Sequence, residues 1–191
     1  VVIAMIVSFI HQFMTRKEDA FTAVMLNATA LDQTVELPDF ALDFAEKEGI
    51  DLNTENMTFD TSIRISDDGS MDEISVTSNQ KLMVYMAANE LDAMITDQDS
   101  FQKYANSSVF YDLREVLTDE QVTALEPYFY YVDREVVLAI EKANDQLDSD
   151  YTPEYPDPFH PEDMQDPVPV GICLTDCTDL TDNYYFRGDG I

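Results

Sequence analysis

Residues 91–117 read LDAMITDQDSFQKYANSSVFYDLREVL, an apolar strand that runs through a polar loop straight into a helix. Ala93, Met94 and Ile95 form a short apolar run without period-2 alternation, the pattern of a strand covered on both faces in a parallel sheet. Asp97, Gln98 and Asp99 interrupt it. Asp99, with Gln102 three residues on, is placed to cap the next helix, and Phe101, Tyr104 and Ala105 give that helix one apolar side. Residues 106–108 end it. A second start follows at Asp112, with Glu115 at the reciprocal position and Leu113, Val116 and Leu117 facing inward, and a third at Thr118 with Gln121. The loop between strand and helix is the natural place for binding, since α/β sheets take ligands beyond the carboxyl ends of their strands and at helix amino termini.

Upstream, residues 21–27 (FTAVMLN) read as another buried strand that ends in Asn27, Ala28 and Thr29. A helix fits residues 37–48, with Pro38 in its first turn, Phe40, Ala41, Phe44 and Ala45 on one face, and Gly49 placed to end it. Residues 57–65 alternate cleanly, Met57, Phe59, Thr61, Ile63 and Ile65 against Thr58, Asp60, Ser62 and Arg64, which predicts a half-exposed strand at a sheet edge. Residues 78–89 then read as a helix with Leu82, Met83, Tyr85 and Met86 inward. Strand, helix, strand, helix, strand, helix specifies a parallel α/β unit with right-handed crossovers. Its strand ends nominate Asn27, Thr29, Ser66, Thr96, Asp97, Gln98, Asp99 and Ser100 as ligand-binding residues.

Downstream of Leu117 the pattern loosens. Residues 128–132 (YFYYV) and 168–174 (VPVGICL) read as strands and residues 135–147 as a helix through Val136, Val137, Ile140 and Ala143. Between them, residues 150–169 carry Pro153, Pro156, Pro158, Pro161, Pro167 and Pro169 among many carboxylates, an exposed loop. A further strand begins near Tyr184. At the other end, residues 1–10 (VVIAMIVSFI) are uniformly apolar. They are shorter than the ~20 residues that span a bilayer, and they show no polar face. Residues 1–16 are read as the end of a membrane anchor or signal segment, with a first core helix as the alternative. The expected division is then 1–16, 17–127 and 128–191.

The chain carries 39 Asp plus Glu against 10 Lys plus Arg, a formal net charge of -29. Such a surface repels nucleic acid and anionic lipid headgroups, so no nucleic-acid partner is expected. No phosphate-binding glycine loop, nucleophile elbow or H-E-x-x-H motif is present, and His11 and His160 have no fixed carboxylate partner in the sequence; a non-catalytic protein is expected. Residues 67–73 (DDGSMDE) concentrate hard oxygen donors, so Asp67, Asp68 and Asp72 are calcium candidates, but their spacing is not that of an EF-hand and a polar connection between an edge strand and a helix is the better reading. No other cofactor is expected. The same two readings apply to Asp157, Glu162 and Asp163 around His160. Tyr128, Tyr130, Tyr131, Tyr184 and Tyr185 are either rings of a ligand site or core-strand residues. Cys173 and Cys177, spaced C-x3-C, are either a local disulfide or two thiols, a metal pair completed by His160 being the less favoured alternative because nothing in the sequence fixes that histidine nearby.

Residues 90–95 (ELDAMI), 97–104 and 111–117 (YDLREVL), with the preceding Gln80, Lys81 and Leu82, resemble the first lobe of extracellular solute-binding proteins of the type 2 periplasmic kind. There a G-E-x-D-hydrophobic strand precedes a helix and a Leu-Asp-Leu segment; Asn89 stands here in place of the small residue. The apolar start and the phrase MQDPVPVGICL also resemble uncharacterised membrane-anchored proteins of gut Firmicutes. The resemblance implies a mainly parallel sheet flanked by helices. Residues beyond 127 would form a reduced second lobe or complete the first. It further implies an extracellular domain anchored at its amino end on a Gram-positive surface, binding a small polar solute, or, if its clamp is lost, a protein partner.

Overall fold

Thr22, Ala23, Val24, Met25 and Leu26 are all buried, and this run forms the centre of the fold's main sheet. The structure is a computed structural model and describes residues 17–66, 73–147 and 151–186. The chain divides into two compact units: the described residues up to Ile95 together with Thr178–Phe186, and those of Thr96–Cys177.

In the first unit, strand β1 (Glu18–Met25) is flanked on both sides, by β3 (Glu55–Asp60) and by β4 (Ala93–Ile95), and both pairings are parallel. Register runs Phe21↔Met57 to Val24↔Asp60 on one side and Ala23↔Ala93 to Met25↔Ile95 on the other. Asp92 sets the second register: its carboxylate accepts from the Thr22 N–H at 2.8 Å while its own N–H donates to the Thr22 carbonyl at 3.0 Å.

The alternation seen in the sequence of β3 assigns the two faces of the sheet. Met57 and Phe59 pack with Phe21 against Ala41, Phe44 and Ala45 of helix α1 (Asp39–Glu48). Asp60 points the other way, where it takes Lys81 and Tyr85 of helix α2 (Glu73–Ala87) at 2.6 and 3.0 Å. The sheet therefore carries a helix on each face, as a mixed α/β fold with a three-stranded parallel sheet. Helix α1 ends at Gly49, whose φ of 76° is left-handed and whose neighbour Ile50 donates back to the Ala45 carbonyl, a closure that glycine makes without strain. A two-stranded antiparallel ribbon, β2 (Ala28–Ala30) with β7 (Tyr184–Phe186), completes the unit, β7 following the single turn α7 (Thr178–Thr181).

The second unit runs α3 (Gln98–Ala105), α4 (Leu113–Val116), α5 (Asp119–Leu125), a 3-10 turn Glu126–Tyr128, β5 (Phe129–Asp133), α6 (Arg134–Asp145), a 3-10 turn Pro161–Asp163 and β6 (Pro167–Ile172). β5 and β6 are antiparallel, and their inner residues Tyr130, Val132, Val168 and Val170 form a core with Ala105 and Val137. Thr118 and Gln121 make the reciprocal capping box expected of them. The proline-rich segment lines the sheet: the Pro158 carbonyl accepts from Tyr131 N–H at 2.9 Å, and Asp133 receives the N–H groups of Gln165 and Asp166.

Several local expectations are corrected. β4 is an edge strand whose residues are half-buried, because β1 occupies the centre; a short apolar run fits either place. Helix α3 is capped by Asp97, which accepts from Ser100 N–H at 2.8 Å, not by Asp99. Helix α2 already includes Glu73, five residues before the predicted start at Ser78, because Ser75 and Ser78 are buried by hydrogen bonding and not by hydrophobicity; Met83 points outward. Val116 is also exposed. Residues 61–65 continue the alternation of β3 but leave the ladder.

Candidate functional site

The carboxyl end of β1 continues one residue beyond the ladder, with Leu26 N–H donating to the Ile95 carbonyl at 2.8 Å, and then turns at Asn27. Asn27 has φ 58°, a left-handed conformation that asparagine tolerates better than most side chains. Its N–H donates to Ile63 O at 3.1 Å and its side-chain oxygen accepts from Ile65 N–H at 2.8 Å, so the segment after β3 is tied along the end of β1. Helix α2 ties the same segment from its other side: Ser78 Oγ accepts from Arg64 N–H and Ser75 Oγ from Ser66 N–H. Asn27, Thr29 and Ser66 are thereby brought to one end of the first unit's sheet.

Arg64 is the residue at this edge that the sequence reading missed. Its guanidinium donates to Thr29 Oγ1 at 3.1 Å, it is exposed, and no carboxylate pairs with it among the described residues. A signal existed: an arginine on the polar side of the alternating run 57–65, in a chain with only 10 cations, is conspicuous.

Beside it lies a second polar group that was not singled out. Lys81 Nζ reaches Asp60 Oδ2 at 2.6 Å and Ser62 Oγ at 2.8 Å, and Tyr85 OH donates to Asp60 at 3.0 Å. A serine beside a lysine is an arrangement used for acyl transfer, but only when the lysine can be neutral. Burial alone would lower the Lys81 pKa; the Asp60 carboxylate more than reverses that and holds the ammonium protonated. Asp60 itself, which burial would push up, is held below its ordinary value by Lys81, Ser62 and Tyr85. The cluster pins β3 to α2.

Of the residues after β4, which open the second unit, Thr96, Asp97 and Ser100 are buried and Gln98 and Asp99 exposed. Thr96 Oγ1 donates to one oxygen of Asp97 at 3.3 Å while the other oxygen caps α3. That carboxylate is committed to the helix start, and Gln98 and Asp99 are the pair that face solvent.

The remaining candidates are placed as follows. Asp67, Asp68 and Asp72 lie outside the described residues, as does the apolar segment 1–16. Among the described residues no group of three His, Cys, Asp or Glu side chains is arranged to hold a metal, and no helix is long and apolar enough to cross a membrane. His160 is exposed and bonded to Glu162 at 2.9 Å, which raises its pKa. The tyrosines take different roles. Tyr130 is buried between Phe101 and Phe159, and burial, with Asp157 and Asp99 nearby, pushes its hydroxyl up to about 12; Tyr184 is buried against Phe40, and Tyr128 and Tyr185 are exposed. A cavity of about 200 Å3 in the first unit is lined by Ala30, Asp32, Val35, Pro38, Asp39, Asn183 and Tyr184, none of them a residue nominated as ligand-binding. No family model, curated protein or solved structure matches this chain.

Proposed function

We propose that this chain is an extracellular, membrane-anchored domain of the solute-binding kind, with a type 2 periplasmic-binding-protein lobe, and that it holds a small polar solute without transforming it. The observation that carries the reading is the strand order β3-β1-β4 with α1 and α2 on opposite faces. The crossover direction reverses at β1, and such a reversal opens a crevice at the carboxyl edge of an α/β sheet, the place where these folds bind ligands. Arg64 and Thr29 stand at that edge. They favour a solute that carries an anionic group, since an exposed guanidinium on a chain of net charge -29 is a local exception that a carboxylate can use.

The test is calorimetric titration of the purified protein with acidic, neutral and basic amino acids and short peptides. Binding of an anionic solute that Arg64→Gln weakens about tenfold, the equivalent of roughly 1.4 kcal/mol, supports the reading. Binding unaffected by Arg64→Gln moves the site elsewhere, and no binding across the series rejects solute binding.

A second reading has its own observation. Val76, Met83 and Val84 stand 39%, 69% and 63% exposed on one side of helix α2, Val76 and Met83 being two turns apart, an apolar stripe that a solvated helix does not need. They favour an extracellular protein-interaction or sensor module. Crosslinking from these positions on cells, with a partner recovered and no solute bound, selects it.

A further inference from the structure

The only two cysteines of the chain lie four residues apart, on the segment by which it leaves the second unit. Cys173 follows β6 directly and its N–H donates to the Tyr128 carbonyl at 2.7 Å, which extends the β5–β6 ladder by one step. The chain then turns through Thr175 and Asp176, and Cys177 N–H closes the turn on the Leu174 carbonyl at 2.9 Å. Cys173 Sγ lies 3.1 Å from Thr175 Oγ1, so its sulfur is aimed into the turn that Cys177 ends. Both side chains are thiols and both are half-exposed, within reach of a small reagent. No third metal-ligating side chain joins them among the described residues. We propose that Cys173 and Cys177 form a reversible dithiol–disulfide couple that closes this turn, with a low-molecular-weight disulfide as oxidant. This inference is independent of solute binding.

The chemistry is ordinary exchange. The thiolate of one cysteine attacks the oxidant RS–SR, which forms a mixed disulfide and releases RS⁻. The second thiolate attacks the protein sulfur of that mixed disulfide, the Cys173–Cys177 bond forms, and the second RS⁻ leaves. Two protein thiols give up two protons and two electrons, and the oxidant is reduced to two RSH. The turn favours the second step over a lasting adduct because it holds the attacking sulfur a few residues away, at a high effective concentration.

The experiment treats the full chain with oxidised glutathione, then unfolds it in acid and measures intact mass and titratable thiols. The expected result is a monomer lighter by two hydrogens, with no thiol left and no retained glutathione, returned to the starting mass by excess reduced glutathione. Cys173→Ser and Cys177→Ser should each instead retain one glutathionyl group. Two persistent thiols, two separate glutathione adducts on the parent chain, or a disulfide-linked dimer would each overturn the proposal.

Discussion

Replacing Asp133 tests how the second unit is held together. This side chain is buried, at 4% exposure, and accepts three backbone N–H groups: Glu135 at 3.1 Å, which caps α6, and Gln165 and Asp166 at 2.9 and 3.1 Å, which fasten the proline-rich segment just before β6. Hydrogen bonds to a charged acceptor contribute about 1.5–3 kcal/mol each, but three donors share one carboxylate, so the set is worth less than three times that. In Asp133→Asn one arm becomes a donor and faces an N–H, and the rest of the bonds lose their charge; a loss of about 2–4 kcal/mol is expected. Acid should narrow that difference. Burial by itself would push the Asp133 carboxyl up, and the N–H groups of Gln165, Asp166 and Glu135 together overcome this and hold it below its usual value. A carboxyl depressed in the folded state stabilises fully above its unfolded pKa, about 3.9, and loses that contribution as pH falls through the folded value. Urea unfolding followed by tyrosine fluorescence, in a chain with no tryptophan, reads both effects. A penalty under about 0.5 kcal/mol, or one that does not shrink in acid below the unfolded carboxyl pKa, refutes the bracket.

Two further substitutions probe packing and backbone. A Cβ at Gly171 would sit 2.5 and 2.7 Å from the far edge of the Phe101 ring, which is itself stacked on Phe110 and edge-on to Tyr130. Gly171→Ala should therefore cost about 1–3 kcal/mol, and Phe101→Leu in the same chain should recover part of it; simple additivity in the double-mutant cycle would contradict the contact. At Asn27, Ala adds left-handed strain of about 1–2 kcal/mol to the lost hydrogen bond with Ile65, whereas Gly loses only the hydrogen bond. Chemical denaturation should rank parent, Gly, Ala in falling stability; an inverted order of the two variants sinks the strain argument.

What the sequence revealed was whatever rests on apolar periodicity and local caps. The alternation at residues 57–65 identified an edge strand, of which residues up to Asp60 pair in the ladder, and Thr118 with Gln121 identified a helix start. Positions that depend on partners distant in the chain were not legible. The run at 93–95 suits a central or an edge strand, and only the pairing of β1 with both neighbours decides. Asp97-x-x-Ser100 and Asp99-x-x-Gln102 are equally good caps on paper; the burial of Thr96, Asp97 and Ser100 selects the first. Ser75 and Ser78 carry the amino end of α2 by hydrogen bonds, to which a hydrophobic pattern is blind. The candidate site followed the same division: the strand ends were found from topology, and Arg64 emerged only with its neighbour Thr29.

The central claim, that a small polar solute occupies the carboxyl edge of the parallel sheet, is tested most directly by a thermal-shift screen of the protein against amino acids, short peptides, sugars and divalent cations. A solute at 100 times its dissociation constant stabilises the native state by about 2.7 kcal/mol. The account predicts such a rise with an anionic small solute, and its loss in Arg64→Gln; a well-folded sample that shifts with none of the panel, or with calcium alone, would contradict it.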